Sequence, residues 1–261
     1  MELRFAKWHG TGNDFILVDD RDGSFPVDPA LIQRLCDRHF GIGSDGLILI
    51  QAPQSEGMHF HMEFFNPDAS KSFCGNGSRC AFAFWSVLNR REDDAHFSAI
   101  DGEHLGQWMG KEVAITLPNV GTVDHAIDGA DVDFIHTGSP HELVWVPDTE
   151  AVDIMAEGPR RRHAAHRAPG GTNVNFVQLM GDGIRMRTFE RGVEAETLSC
   201  GSGVVAAGLS ALLRHHIPVP LTVTTRGGTL QVEATMVDRA SFDRIRLIGP
   251  VQLVFTGTVT I

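Results

Sequence analysis

The chain has 261 residues, 42% of them hydrophobic and 21% charged, a make-up that excludes a disordered chain and leaves room for one large domain or two of medium size. A formal charge of −11, from 33 acidic against 22 basic residues, opposes the counterion release that drives nucleic-acid binding. Four cysteines are too few for a disulfide scaffold, no stretch approaches the roughly 18 apolar residues of a membrane span, and "MELRFAKWHGTGNDF" holds no secretory core, so a cytoplasmic protein with free thiols and no membrane partner is expected.

In chain order, Phe15 to Val18 reads as an early strand. Pro29 to Phe40 reads as a helix, with Asp28 as cap, Pro29 in the first turn and Gly41 as stop. Leu47 to Gln51 and His59 to Phe65 read as strands; in the second, His59, His61 and Glu63 alternate with Phe60, Met62 and Phe64. From Asn76 to Leu88 the apolar spacing is helical with almost no charge after Arg79, which predicts a buried helix. Strands are expected near 95–100, 103–109 and 112–117, and "LPNVG" at 117–121 marks a boundary. The second half repeats the plan. "VNFVQLM" and "IRMRTFE" are strand-like, Gly201 to His215 is a second buried small-residue helix, and strands follow near 221–225, 229–236, 244–248 and 251–260.

Laying Met62 on Met186 puts Phe65 on Phe189, and Cys74 meets Cys200 if the second half carries two extra residues. The repeat is strand, polar loop, Cys-Gly-x-Gly, buried helix: "FCGNGSRCAFA" at 73–83 and "SCGSGVVAAGL" at 199–209. Two such modules facing each other bring two equivalent loops to one cleft.

Other motifs carry less. Gly41 to Gly46 fits G-x-G-x-x-G, but a helix precedes it and a strand follows, the reverse of a dinucleotide fingerprint. Cys74 and Cys80 are badly spaced for zinc, and His59 and His61 read as exposed strand positions, so no metal is expected. Arg160 to Arg162 reads as a solvated loop or helix start, and Cys36 and Cys80 as buried packing residues. With no tyrosine, and with Lys7, Lys71 and Lys111 as the only lysines, a pyridoxal cofactor has few anchors and no cofactor is expected.

Cys74 and Cys200 each open a helix, where the dipole and unpaired N–H groups stabilise a thiolate and can also bind a carboxylate. A redox dithiol, a metal pair and an acid/base pair all use two cysteines. Redox couples favour C-x-x-C, whereas one cysteine on each helix suits proton transfer on opposite faces of a stereocentre.

"HGTGNDF" (9–15), "FNPDASKSFCGNG" (65–77), "TGSPHE" (137–142), "GGTNVNFV" (170–177) and "FERGVEAETLSCGSG" (189–203) resemble, in order, the blocks of diaminopimelate epimerase. The resemblance implies a pyridoxal-independent two-base epimerase of LL- and meso-diaminopimelate in the lysine and peptidoglycan-precursor pathway. It implies an α/β (α+β) fold of two pseudo-symmetric domains, each a curved, mostly antiparallel sheet around a central helix, with the active site in the cleft between them. The division is placed at 1–118 plus 250–261 and 119–249, with the last strand returning to the first domain.

Carried over by motif, Cys74 and Cys200 are the bases and His141 and Glu190 tune them. Asn13, Asn66, Gly75, Asn76, Asn173, Glu190, Arg191, Gly201 and Ser202 hold a small amino-acid substrate. A homodimer is carried as a further expectation. Ser139 stands where many members have Asn, Gly46 where some have Gln, and the segment from Arg191 to Cys200 is one residue longer than in many. These departures keep open a related racemase of another amino acid, such as histidine. A cysteine hydrolase using Cys74 with His141 is the alternative from another class.

Overall fold

Strand-forming apolar runs broken by glycine turns account for most of the chain, and two long small-residue segments form its central helices. The computed structural model describes residues 1–127, 131–238 and 240–261. It divides into two units, Met1–Thr116 with Gly249–Ile261, and Leu117–Ile248.

The first unit holds β1 (Glu2–Gly10), β2 (Asn13–Asp19), α1 (Pro29–Cys36), β3 (Gly46–Gln51), β4 (Phe60–Phe65), α2 (Gly75–Asn89), β5 (Ala95–Ala99), β6 (Gly102–Met109), β7 (Glu112–Thr116) and, from the C-terminus, β17 (Gln252–Thr260). The second holds β8 (Val123–Asp124), β9 (Val132–His136), β10 (Pro140–Trp145), α3 (Ile154–Arg162), a 3-10 turn at Ala165–Arg167, β11 (Asn173–Met180), β12 (Gly183–Glu190), β13 (Ala195–Thr197), α4 (Gly201–His215), β14 (Leu221–Thr225), β15 (Gly228–Met236) and β16 (Phe242–Pro250).

The two units share one connectivity. In the first the strands lie in the order β17-β1-β2-β3-β4-β5-β6-β7, antiparallel except for β2–β3 and β4–β5. The second runs β8-β9-β10-β11-β12-β14-β15-β16, with β10–β11 and β12–β14 as its parallel pairs. Parallel neighbours need a crossover, and matching helices supply it: α1 and α3 in the first crossover, α2 and α4 in the second. β13 is the local addition, pairing with the end of β12 where the first unit has one isolated bridge, Phe65 to Lys71.

A helix apolar on every side belongs in a core. Every residue of α2 from Gly75 to Ser86 is buried, and so is nearly all of α4 from Gly201 to Ala211. Around α2 pack Phe15, Ile48, Phe60, Phe97 and Ile115, with Phe60 and Phe97 stacked at 4.8 Å between centroids. Around α4 pack Leu143, Val177, Met186, Val223 and Leu247. Both helices end on a left-handed residue, Arg90 (φ 53°) and His216 (φ 52°), each 16 positions after its cysteine. Each unit is therefore a mostly antiparallel sheet wrapped on one buried helix.

Several expectations are corrected. α1 stops at Cys36 rather than Phe40, because the Asp37 carboxylate accepts the N–H groups of His39 and Phe40 and turns the chain. β1 was not expected, and neither were β8 to β10. His61 is not an exposed strand position: it is 7% exposed and its Nδ1 lies 2.8 Å from the Ser98 hydroxyl. Nor is the arginine cluster a solvated loop or a helix start. It forms the last turn of α3, where Arg160 pairs with Glu157, Arg161 with the buried Glu142 and Arg162 with Glu194. No helix among the described residues is long and apolar enough to cross a membrane.

Candidate active site

In the first unit the β1–β2 hairpin and the start of α2 bring Asn13, Cys74 and Asn76 together. Cys74 is the N-cap residue of α2: its backbone is extended and its sulfur accepts the Gly77 N–H at 3.4 Å. Ser78 closes the first turn by donating to the Cys74 carbonyl at 2.8 Å. The Asn13 carbonyl accepts from the Asn76 amide at 3.2 Å and from the Cys74 thiol at 3.8 Å, while its own amide donates to Asp45 at 2.8 Å.

Asp45 therefore fixes which end of Asn13 faces the thiol. It belongs to an ion network with Arg38, which bridges Asp14 and Asp45, and Lys7, which meets Asp14 at 2.5 Å. Burial raises the Asp14 pKa, but the Arg38 and Lys7 bonds outweigh it and hold the carboxyl at about 2. Lys7 is thus engaged with a carboxylate, as Lys71 is with Glu63. Asn66 lies in the loop after β4, its amide donating to Ser70 and Ser72. Gly46 packs under the Phe64 ring, where a Cβ would come within 2.4 Å of a ring carbon, so its side of β3 has no room for a longer side chain.

In the second unit the equivalent hairpin, β9–β10, carries Thr137, Ser139 and His141 to the start of α4. Cys200 is 7% exposed and caps α4 with its backbone only. Its sulfur lies 3.6 Å from the Ser202 hydroxyl, which lies 3.0 Å from His141 Nε2; Ser139 Oγ is 2.9 Å from the same nitrogen. The link from His141 toward the sulfur runs through Ser202.

The tautomer of His141 follows from its other side. The Thr188 hydroxyl donates to the Asn175 carbonyl at 3.0 Å, so the Asn175 amide faces His141 Nδ1 and donates to it at 3.1 Å. Nδ1 is then an acceptor, and Nε2 carries the hydrogen directed at the serines. Burial, then His136 and Arg191, lower the His141 pKa to about 3, so the ring is neutral at physiological pH. Gly203 makes this packing feasible: a Cβ there would come within 2.6 Å of the Asn175 carbonyl and 3.3 Å of the His141 ring.

Asn173 is 4% exposed and engaged on both sides, accepting the Arg191 N–H at 2.8 Å and donating to Ser139 and to the Pro140 carbonyl. Thr197 donates to Glu190 at 2.7 Å. The Arg191 side chain is exposed and in no ion pair among the described residues. Gly75 and Gly201 follow their cysteines as the first residues of the two helices. Asn175, Asp45 and Thr137, which donates to the Ser202 carbonyl at 2.8 Å, complete the two clusters and were not singled out from the sequence. One signal was available for Asn175: the N-V-N alternation of β11 puts it on the same face as Asn173. Among the described residues no group of three His, Cys, Asp or Glu side chains could hold a metal ion.

The family model described as diaminopimelate epimerase matches residues 5–116 and 134–254. The chain is 38% identical to the diaminopimelate epimerase of Flavobacterium psychrophilum, over 98% of this chain and 100% of that one. It is also 38% identical to that of Chlorobaculum tepidum, over 97% and 99%. Among solved structures, a Bacillus anthracis phenazine biosynthesis protein of the PhzF family superposes with a TM-score of 0.78 over the full length of both chains at 13% identity. A hydroxyproline epimerase from Agrobacterium vitis gives a TM-score of 0.70 at 15% identity, over 99% of this chain and 92% of that one. These two likenesses are of fold.

Proposed function

Because the chain belongs to the diaminopimelate epimerase family, we propose that it is a cofactor-independent isomerase that interconverts LL- and meso-diaminopimelate in lysine and peptidoglycan-precursor biosynthesis. One observation carries the two-base reading: each unit presents a cysteine at the N-terminus of its buried helix, reached by one connectivity used twice.

One thiolate removes the α-proton, leaving its electron pair on the α-carbon and the adjoining carboxylate. The other cysteine delivers its proton from the opposite face, becomes the thiolate and leaves the pair set for the reverse reaction. The backbone N–H groups at Gly75–Asn76 and Gly201–Ser202 are suited to the negative charge that grows on the carboxylate. Asn13 and Ser202 meet the two sulfurs, and Asn76 and His141 support them from behind. Arg191, with no carboxylate partner among the described residues, offers a fork for a substrate carboxylate. Glu190 is assigned to an ammonium, and Asn66 and Asn173 to holding the loops and the substrate. The enzyme is read as cytoplasmic and as a homodimer; Leu253, Val254 and Phe255, exposed on β17, support a second copy there, and light scattering tests it.

The test is deuterium incorporation at the α-carbon in D2O with no added cofactor, run across several amino acids including histidine. Diaminopimelate is expected to exchange, and Cys74→Ala and Cys200→Ala are each expected to lose about 10²–10⁴-fold or more of the rate. Full epimerase activity in either variant would sink the two-base reading, and exchange with histidine alone would reassign the substrate.

A further inference from the structure

α2 carries a charge that its surroundings do not balance. Arg79 is fully buried; its Nε and Nη2 have no hydrogen-bond partner, and Nη1 reaches only the Gly75 carbonyl, at 3.5 Å. The guanidinium lies against β1, where a Cβ on Gly10 would sit 3.0 Å from Nη2 and 3.6 Å from the Cys80 sulfur. A buried, unpaired cation is costly, and an apolar side chain of similar length would fill the space without that cost.

The titratable groups whose charge reaches Arg79 are Cys80 and Cys74 on its own helix and Glu112 from β7. Burial lowers the Arg79 pKa to about 10, which leaves it charged at neutral pH. Burial pushes the Cys80 thiol up to about 12, so Cys80 stays protonated and cannot neutralise it. Of the other charged or titratable groups on the strands packed against α2, Lys7 pairs with Asp14, Glu63 with Lys71, His61 with Ser98, His104 with Asp101 and His9 with the Gly12 N–H, while Glu2, Arg4 and Glu103 are exposed to solvent. Glu112 makes no hydrogen bond to the guanidinium nitrogens left bare. Of the groups its charge reaches, Cys74 is the one that the two-base reading uses.

The duplication supplies a control within the molecule. Five residues after Cys200 stands Val205, the counterpart of Arg79, and Cys200 lacks the cap bond that Cys74 receives from Gly77. The Ser202 hydroxyl stands beside the Cys200 sulfur and, behind it, the neutral His141.

We propose that Arg79 is a positioning residue that holds Cys74 as the thiolate in the resting protein, while Cys200, with Val205 in the matching place, rests as the thiol. This deepens the two-base reading and rests on it: such a site works only with one cysteine ionised and the other protonated, and the buried charge decides which. Asn13, whose carbonyl accepts from the Cys74 thiol, serves the protonated form that each turnover leaves behind.

The full chain labelled with ¹³Cβ-cysteine reports each ionisation by NMR titration, assigned with the single Cys→Ala variants. Cys74 is expected to ionise at least about one pH unit below Cys200. Arg79→Met is expected to raise the Cys74 midpoint by a similar amount while leaving Cys200 in place, and Arg79→Lys to keep it near the native value. An unshifted Cys36 resonance, from a cysteine outside this cluster, reports an intact fold. Cys200 ionising first in the native protein, or a Cys74 midpoint indifferent to Arg79→Met, overturns the proposal; if Arg79→Met does not fold, the native order and the Arg79→Lys midpoint decide. No substrate enters the measurement, so a failed deuterium exchange would remove the functional reading and leave this result standing on its own.

Discussion

His141 is wholly buried, and its ring takes up a proton only near pH 3, far below the ordinary histidine value of 6.5. A folded pKa below the unfolded one means that, as pH falls through 6.5, the unfolded chain gains a proton that the folded chain refuses. Stability should then drop by up to about 1.4 kcal/mol per pH unit until pH approaches 3. His61, also lowered by burial, acts in the same direction but is common to any His141 variant. Urea midpoints of the native chain and of His141→Gln between pH 7 and 4.5 measure the difference: the variant should lose most of one proton's dependence. Equal slopes would mean that His141 is charged in the folded protein. The neighbouring Gly203→Ala should destabilise by about 1–3 kcal/mol at all these pH values, because its methyl would drive into the Asn175 carbonyl.

At the scale of elements, α3 and the following 3-10 turn are tied to β10 by one carboxylate. Glu142 is 1% exposed and receives Arg161 at 2.8 Å and Arg167 at 2.9 Å. Glu142→Leu removes that acceptor and leaves two partly buried guanidinium groups without it, so chemical denaturation should show a loss of about 3 kcal/mol or more. Glu157→Ala, which removes only the exposed pairing with Arg160, should change stability by less than about 1 kcal/mol. This contrast also explains what was legible in the sequence. The two buried helices announced themselves because burial on every side leaves a run of small and apolar residues that no surface helix has. The end of α1 did not, because an Asp37 side chain folding back on His39 and Phe40 outweighs the apolar period. The two cysteine boxes stand in the sequence as repeats, whereas Asp45 and Asn175 act through partners 32 and 34 residues away, a distance that only the parallel pairings β2–β3 and β10–β11 collapse.

At the scale of the whole molecule, duplication has kept the connectivity and let the chemistry of the halves diverge. Asn13 and Asn76 at the start of α2 answer to Ser139 and Ser202 at the start of α4, and buried Arg79 answers to Val205. A single ancestral module repeated without change would give two cysteines of equal basicity, whereas the proposed two-base reaction needs one thiolate and one thiol. In the proposed assignment, divergence supplies one of each. The consequence can be read in the isotope pattern of the first turnovers. With one base per face, the proton removed stays on the first sulfur while the proton delivered comes from the second, which has exchanged with solvent. In D2O, mass spectrometry of the two separated isomers at low conversion should find deuterium in the newly formed isomer while the recovered starting isomer remains largely protiated. A single base that exchanges its proton with solvent before returning it would label both isomers from the first turnovers, and that pattern would argue against one cysteine from each half acting on the same α-carbon.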